Sequence, residues 1–243
     1  MRNFNYHLII FLFSFFLLYK ESFSDVIEQK IKDFILKNPE VILESLKNFE
    51  EKQETKLLLQ NSQRIKDYKD QIFKSKTDLY DGNVIGEKVI VEFFDYNCSY
   101  CKRVHKDLER VLKNFNNVKI IYKNFPILTE RSVLLAKYSI IISEIDNKKF
   151  TDFHSLIIEN KGEVSGNDLE EIFKELDLKK ENLNKRLEDK RINEKLRLDI
   201  DLAKKLGLRG TPAFVIGDEI VFGYIGYDDF LSKLKINNIK NQQ

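Results

Sequence analysis

The stretch VIVEFFDYNCSYCK, residues 89–102, decides how this chain folds. Val89 to Phe94 is a short, near-continuous apolar run, the composition of a strand buried on both faces. Cys98 and Cys101 follow it, the only two cysteines of the 243 residues. A helix beginning near Cys98 carries Val104, Leu108, Val111 and Leu112 on one face. Val118 to Tyr122 then reads as a second strand, closed at Phe125-Pro126. Strand, helix and strand in this order make a βαβ unit, which predicts a parallel pair and a right-handed crossover.

Downstream, the pattern from Leu128 to Leu206 is helical throughout. Thr129 caps one helix, and Phe150, Phe153, Leu156 and Ile157 line another. Ser165-Gly-Asn-Asp168 has the spacing of a capping box, and Gly207 stops the last helix of the stretch. Past Pro212 come a strand (Ala213 to Ile216), a Gly217-Asp218 turn, a second strand (Ile220 to Tyr224) and a closing helix from Asp228.

Upstream, Asp25 to about Lys76 reads as helix with a restart at Asn38-Pro39-Glu40. Its second part shows only a thin apolar stripe of Ile42, Leu46, Phe49 and Leu57. Such a helix either lies on its own domain or acts as a coiled-coil-like oligomerisation arm. Asp78 to Lys88 reads as a linker or small hairpin turned at Asp81-Gly82-Asn83. At the start of the chain, Arg2 precedes an unbroken apolar run from Leu8 to Tyr19, and Ser22-Phe23-Ser24 offers small residues for cleavage. This is the layout of a secretory signal over residues 1–24. The run has 12 residues, short of the roughly 20 a membrane span needs, so a retained anchor is the weaker alternative. The expected organisation is a signal at 1–24, a helical region at 25–77, and a domain at 78–243 with a helical insertion at about 128–206. The 41 basic and 39 acidic residues are interspersed and sum to +2. No charge bias points to nucleic acid or to an acidic substrate.

Two cysteines three apart at a helix start have a specific chemistry. Unpaired N–H groups there carry roughly half a positive charge. They stabilise a thiolate, the nucleophile of disulfide exchange. Cys98, outermost and exposed, is the expected nucleophile; Cys101, one turn in and more covered, is the expected resolving thiol. In an exported protein such a pair has redox meaning. Two other readings stand beside this one. Cys98, Cys101, His105 and His154 are enough donors for a zinc or copper site, which usually takes four, although no second Cys-x-x-Cys or His-x-x-x-His accompanies them. A purely structural disulfide is the other. Taken alone, His105 reads as a polar residue on the helix surface, and the expected metal set is none. Glu92 is anomalous inside its apolar run, where a buried charge is costly. Either the strand end lets it reach water, or, as the favoured reading, it is an acid beneath the pair, its pKa raised by desolvation, exchanging the proton of Cys101.

Val91 to Lys102 resembles the active-site segment of the thioredoxin superfamily, specifically its DsbA-like and ScsC-type branch. Gly210-Thr-Pro-Ala-Phe-Val-Ile-Gly217 resembles the segment that carries that family's cis-proline. The resemblance implies a thioredoxin-like α/β fold with a helical insertion, here preceded by an N-terminal helical arm. It implies a cis Thr211–Pro212 bond facing Cys98, with backbone there pairing a substrate chain as an added strand. It implies a periplasmic thiol:disulfide oxidoreductase without cofactor, acting on secreted cysteine-containing proteins. A membrane partner of DsbB or DsbD type would reset the pair, and the arm is a candidate for homo-oligomer formation. Ser99-Tyr100 stands where DsbA has Pro-His, which leans away from a strong oxidase. Thr211, rather than Val, before the proline is similar to the DsbC, DsbG and ScsC type. The rival reading is a non-enzymatic surface or copper-capturing protein on the same fold.

Overall fold

The computed structural model describes residues 25–75 and 78–236, so the expected signal lies outside the described residues. The chain divides into two compact units between Leu57 and Leu58. In the first, α1 (residues 25–37) ends at Asn38, whose side-chain amide donates to the Phe34 carbonyl at 2.7 Å. Its backbone carbonyl accepts from Val41 N–H as α2 (Glu40–Asp67) begins. Apolar side chains of this unit, among them Ile31, Phe34, Leu43, Leu46 and Phe49, are exposed. No helix among the described residues is long and apolar enough to cross a membrane.

The second unit is built on a five-stranded sheet of order β1-β3-β2-β4-β5. Its strands are β1 (Leu79–Gly82), β2 (Lys88–Phe94), β3 (Val118–Asn124), β4 (Ala213–Ile216) and β5 (Glu219–Phe222). The helices after α2 are α3 (Lys69–Phe73), α4 (Ser99–Asn114), α5 (Glu130–Ser143) and α6 (Asn147–Glu159). They continue with α7 (Gly166–Glu175), α8 (Lys180–Asn184), α9 (Lys190–Lys205) and α10 (Tyr227–Lys233). β2 and β3 are parallel and joined through α4, as the strand–helix–strand order required. β4 lies antiparallel to β2 on its other side, and the Gly217-Asp218 turn leads into β5.

The expected hairpin at Asp81-Gly82-Asn83 does not form; β1 pairs antiparallel with β3 instead. β2 has both edges occupied, by β3 and β4, and β1 adds at the outer edge of β3. Gly82 ends that strand with φ +79°, and a Cβ there would stand 2.6 Å from the Val118 carbonyl oxygen.

Alternation along β2 sends its side chains to two cores. Ile90 and Phe94 join the larger one, with Val104, Leu108 and Val111 of α4 and with apolar residues of α5, α6, α7 and α10. Val91 and Phe93 join the other, with Ile65, Ile72, Leu202, Ala203 and Leu206. The apolar stripe read along α4 is therefore its buried face. Each such side chain contributes about 1.5–3 kcal/mol on burial, so Leu108→Ala alone costs about 2–5 kcal/mol.

The end of α2 and all of α3 belong to this second unit. Ile65 and Ile72 are core residues, and Arg64 Nη1 lies 3.4 Å from the Leu206 carbonyl. That burial is why the division by contacts falls at Leu57, ahead of the change of composition near residue 77. The caps of the helical stretch follow the sequence. Thr129 accepts from Ser132 N–H, and Ser165 and Asp168 close a capping box at 3.1 and 2.7 Å. Gly207, at φ +78°, ends α9 where the Leu208 N–H reaches back to the Ala203 carbonyl.

Candidate active site

The site sits where β2 ends and α4 begins. Asp95 shapes the turn between them. One carboxylate oxygen accepts from Asn97 N–H at 2.8 Å; the other accepts from Ile127 and Leu128 N–H at 2.9 and 3.0 Å. Its backbone carbonyl accepts from Cys98 N–H at 3.0 Å. Asn97 adds two bonds from its amide, to the hydroxyls of Thr129 and Ser132. Cys98 is the N-cap residue of α4, in extended backbone, and no acid stands in the helix's first turn to oppose a thiolate. The structure covers Cys98 more than expected, at 7% exposure against 1% for Cys101. The segment that covers it holds Thr211, whose carbonyl accepts from the Cys98 thiol at 3.1 Å. The Thr211–Pro212 bond is cis, and the Pro212 carbonyl accepts from Gly223 N–H at 2.9 Å. Both cysteines are free thiols. Ser99 and Tyr100, between them, are exposed.

The two sulfurs are electrostatically unlike. The Cys98 pKa is pulled down to about 6, first by a hydrogen bond from the Cys101 thiol. Burial opposes this as the next largest effect, and the Thr211 side chain and the N–H groups of Cys101 and Tyr100 lower it further. Cys101 is driven well above the ordinary thiol range, chiefly by burial, then by its bond to Cys98 and by the charge of Glu92. Glu92 is 3% exposed, between Tyr122 on β3 and Phe214 on β4. Burial, then the charge of Cys98, raises its pKa to about 8. Residues over a hundred positions apart in sequence, Glu92, Cys98, Cys101 and Thr211, thus meet in one place. Only the cysteines and Thr211 touch directly.

His105 is not a surface residue. It is 3% exposed and its ring lies 5.3 Å from that of His154. His154 in turn is caged by Phe94, Tyr96, Tyr122 and Phe150, with Tyr96 Oη 3.2 Å from its Nδ1. Burial holds both rings neutral, His105 at about 4 and His154 well below the ordinary range. The four-donor set of Cys98, Cys101, His105 and His154 does not assemble: the donors that gather around His105 are carboxylates, not thiols. Asp95 escaped the sequence reading, and His154 entered it only as a possible metal donor. Asp95 had a signal, an Asp two residues ahead of Asn97 at a strand end, the spacing of an Asx turn. His154 had none beyond its place on the apolar face of a helix.

A family model described as the DSBA-like thioredoxin domain matches residues 89–235. Disulfide bond formation protein D of Bacillus subtilis (strain 168) is 27% identical over 150 residues, covering 58% of this chain and 68% of that protein. A Na(+)/H(+) antiporter NhaA 1 of Salinispora arenicola (strain CNS-205) is 24% identical over 127 residues, 52% of this chain. The chain spans only 20% of that antiporter's length. Among solved structures, the thiol-disulfide exchange protein alpha-DsbA2 from Wolbachia pipientis is similar with a TM-score of 0.68 at 29% identity. That similarity covers 73% of this chain and 96% of the other.

Proposed function

The chain belongs to the DSBA-like thioredoxin family, and on that premise we propose that it is an extracytoplasmic thiol:disulfide oxidoreductase acting through its Cys-Ser-Tyr-Cys pair. The observation that carries this reading is the asymmetry of the pair: one thiol pulled down to about 6 on the Thr211 segment, the other held protonated near a buried acid. At neutral pH Cys98 is then largely thiolate and Cys101 is a thiol.

In the reducing direction, Cys98 Sγ attacks one sulfur of a substrate disulfide. The S–S bond breaks, the leaving sulfur takes up a proton, and a mixed disulfide joins Cys98 to the substrate. Glu92 as carboxylate accepts the Cys101 proton. Cys101 Sγ attacks Cys98 Sγ, and the substrate's second sulfur leaves as a thiolate that takes up a proton from solvent. Two electrons have moved from the pair to the substrate, and Cys98–Cys101 is a disulfide. Oxidation of a substrate dithiol is the same sequence reversed, with Glu92 returning the proton. Burial suits Glu92 to this role, because a pKa near 8 lets it hold or release a proton at neutral pH. Thr211 and Pro212 dock the substrate chain beside Cys98, as the family resemblance implies. Ser99 and Tyr100 tune the thiolate from solvent.

A Cys98 pKa of about 6 falls between the values of roughly 7 for thioredoxin and 3.5 for DsbA. The expected reduction potential lies between roughly −270 and −120 mV. Substrates are exported cysteine-containing proteins, and a DsbB-like or DsbD-like membrane protein resets the pair. The exposed apolar side chains of residues 25–57 support self-association of the arm.

Insulin reduction and refolding of scrambled ribonuclease test the reading, with Cys98→Ser as the control. The wild type is expected to be active in at least one assay and the variant inactive in both. Wild-type protein no better than the variant in either assay sinks the oxidoreductase reading. Light scattering on a chain lacking residues 25–57 tests the arm; an unchanged monomer mass removes it.

A further inference from the structure

The junction of α4 and α6 holds a second group of ionisable side chains that disulfide exchange leaves unused. His105 is nine-tenths buried and more, yet neither of its ring nitrogens makes a hydrogen bond among the described residues. A buried polar atom without a partner forfeits its hydration for nothing, and in native proteins such atoms mark an absent water or ion. Nε2 lies 3.4 Å from Oε1 of Glu109, one turn further along α4, without the alignment of a hydrogen bond. Glu159, the last residue of α6, adds a second carboxylate, and one donor atom from each of the three residues lies within 4.8 Å of the others. The two carboxylates repel each other. The Glu109 pKa is raised, first by burial, then by Glu159 and by Asp81, with only Lys106 opposing. A neutral imidazole with a lone pair to offer, facing two crowded carboxylates, is a donor set suited to a cation.

We propose that His105, Glu109 and Glu159 form a binding site for a first-row divalent transition cation of the zinc kind, bridging the cysteine-bearing helix to the helical insertion. The donor set favours that class. Imidazole suits zinc, copper, iron and nickel, whereas magnesium and calcium prefer oxygen alone. Zinc bonds to nitrogen and oxygen of about 2.0–2.2 Å place tetrahedral donors about 3.4 Å apart. The His105–Glu109 pair already stands at 3.4 Å. Glu159 is exposed, and its donor oxygen already stands within 4.8 Å of the other two. His105 follows Cys101 by one helical turn, so the cation would tie the cysteine-bearing helix to the end of α6. Lys102, on the same face of α4, already reaches that end through Asn160 and Gly162 carbonyls at 2.8 and 2.5 Å. The site uses neither cysteine and stands whether or not the redox reading holds.

The test is Zn²⁺ titration, by calorimetry and thermal unfolding, of chelator-treated protein whose cysteines are locked as the disulfide. That form removes thiol coordination. One Zn²⁺ per chain is expected, with a raised Tm. Glu109→Gln and Glu159→Gln, both near-isosteric and at exposed positions, should each weaken binding by at least about 10-fold, since carboxylate ligands carry much of the affinity. Mg²⁺ and Ca²⁺ should bind far more weakly. Because His105→Gln risks the core, the histidine is followed in the wild type by its side-chain ¹⁵N resonances. Zn²⁺ should move Nε2 of His105 and leave His154 in place. No saturable binding below about 1 mM Zn²⁺, unchanged affinity in both glutamine variants, an unmoved His105 resonance, or Ca²⁺ binding as tight as Zn²⁺ would each overturn the proposal.

Discussion

Glu92 and Lys123 are buried ionisable side chains on adjacent strands of one sheet, on opposite faces. In the parallel register Lys123 stands across from Phe93, the residue after Glu92. Both are almost fully covered, at 3% and 1% exposure, but their surroundings differ. Lys123 pairs with Asp78, donates to the Gln71 carbonyl at 2.9 Å and lies 4.0 Å from Asp199. Lys195 completes the group, 2.6 Å from Asp199 and 3.6 Å from Asp78. Two acids and two bases neutralise one another and tie β3, α3 and α9 together. Glu92 forms no ion pair among the described residues, and its raised pKa comes from burial and a neighbouring sulfur. Where a buried charge is paired, its removal is a matter of stability. Where it is left unpaired beside two thiols, it can exchange a proton.

The largest test of that contrast is Lys123→Met. Removing one partner leaves Asp78 and Asp199 to share Lys195 alone, and the expected loss is about 3–5 kcal/mol by urea unfolding at neutral pH. A loss under about 1 kcal/mol would mean the quartet is not a structural pairing at all. Glu92→Gln should do the opposite. The folded state holds the Glu92 proton up to about pH 8, the unfolded chain only to about 4.5. Between those values the folded state binds more protons, so wild-type stability falls as pH rises. The variant should unfold at the same urea concentration as wild type near pH 4 and at a higher one at pH 8. Parallel curves for the two proteins would show that Glu92 titrates normally.

The same variant should slow release of mixed disulfides about 10-fold or more while changing their formation little, within the usual range for a general acid–base group. Equal slowing of both steps would remove the proton-transfer role. The smallest expected effect is on Glu92 itself. Cys98→Ser deletes the lesser of the two causes of its shift, so the carboxyl ¹³C resonance should titrate at lower pH than in the reduced wild type. A titration that does not move would place the acid out of reach of the pair.

Much of this arrangement was legible in the sequence because it is local. The apolar run of β2, the helix start at Cys98 and the capping box at Ser165 are each fixed by residues within a few positions. Family likeness supplied the Thr211-Pro212 segment, which no local rule could have brought to Cys98. What failed was of two kinds. The partner of β1 was not legible, because a four-residue strand gives no sign of which sheet edge is free. His105 was legible and misread: Cys101, Val104, His105 and Leu108 follow the i, i+3, i+4, i+7 spacing of one helix face, so the stripe already placed it inside. Its polarity was weighed above its position. The quartet around Lys123 needed tertiary structure, since its four members come from three separate segments, with only Lys195 and Asp199 sharing a helix.

His154 carries one more consequence, for anyone who would cut this domain down. It belongs to α6, within the inserted helices, yet it fills the space between Phe94 and Tyr96 at the end of the cysteine-bearing segment and Tyr122 on the next strand. The insertion is thus not a detachable accessory. Excising it to leave a minimal scaffold would strip three aromatic rings of their cover beside the cysteine-bearing helix. The working part of this protein cannot be transplanted as a cassette without the helices that interrupt it.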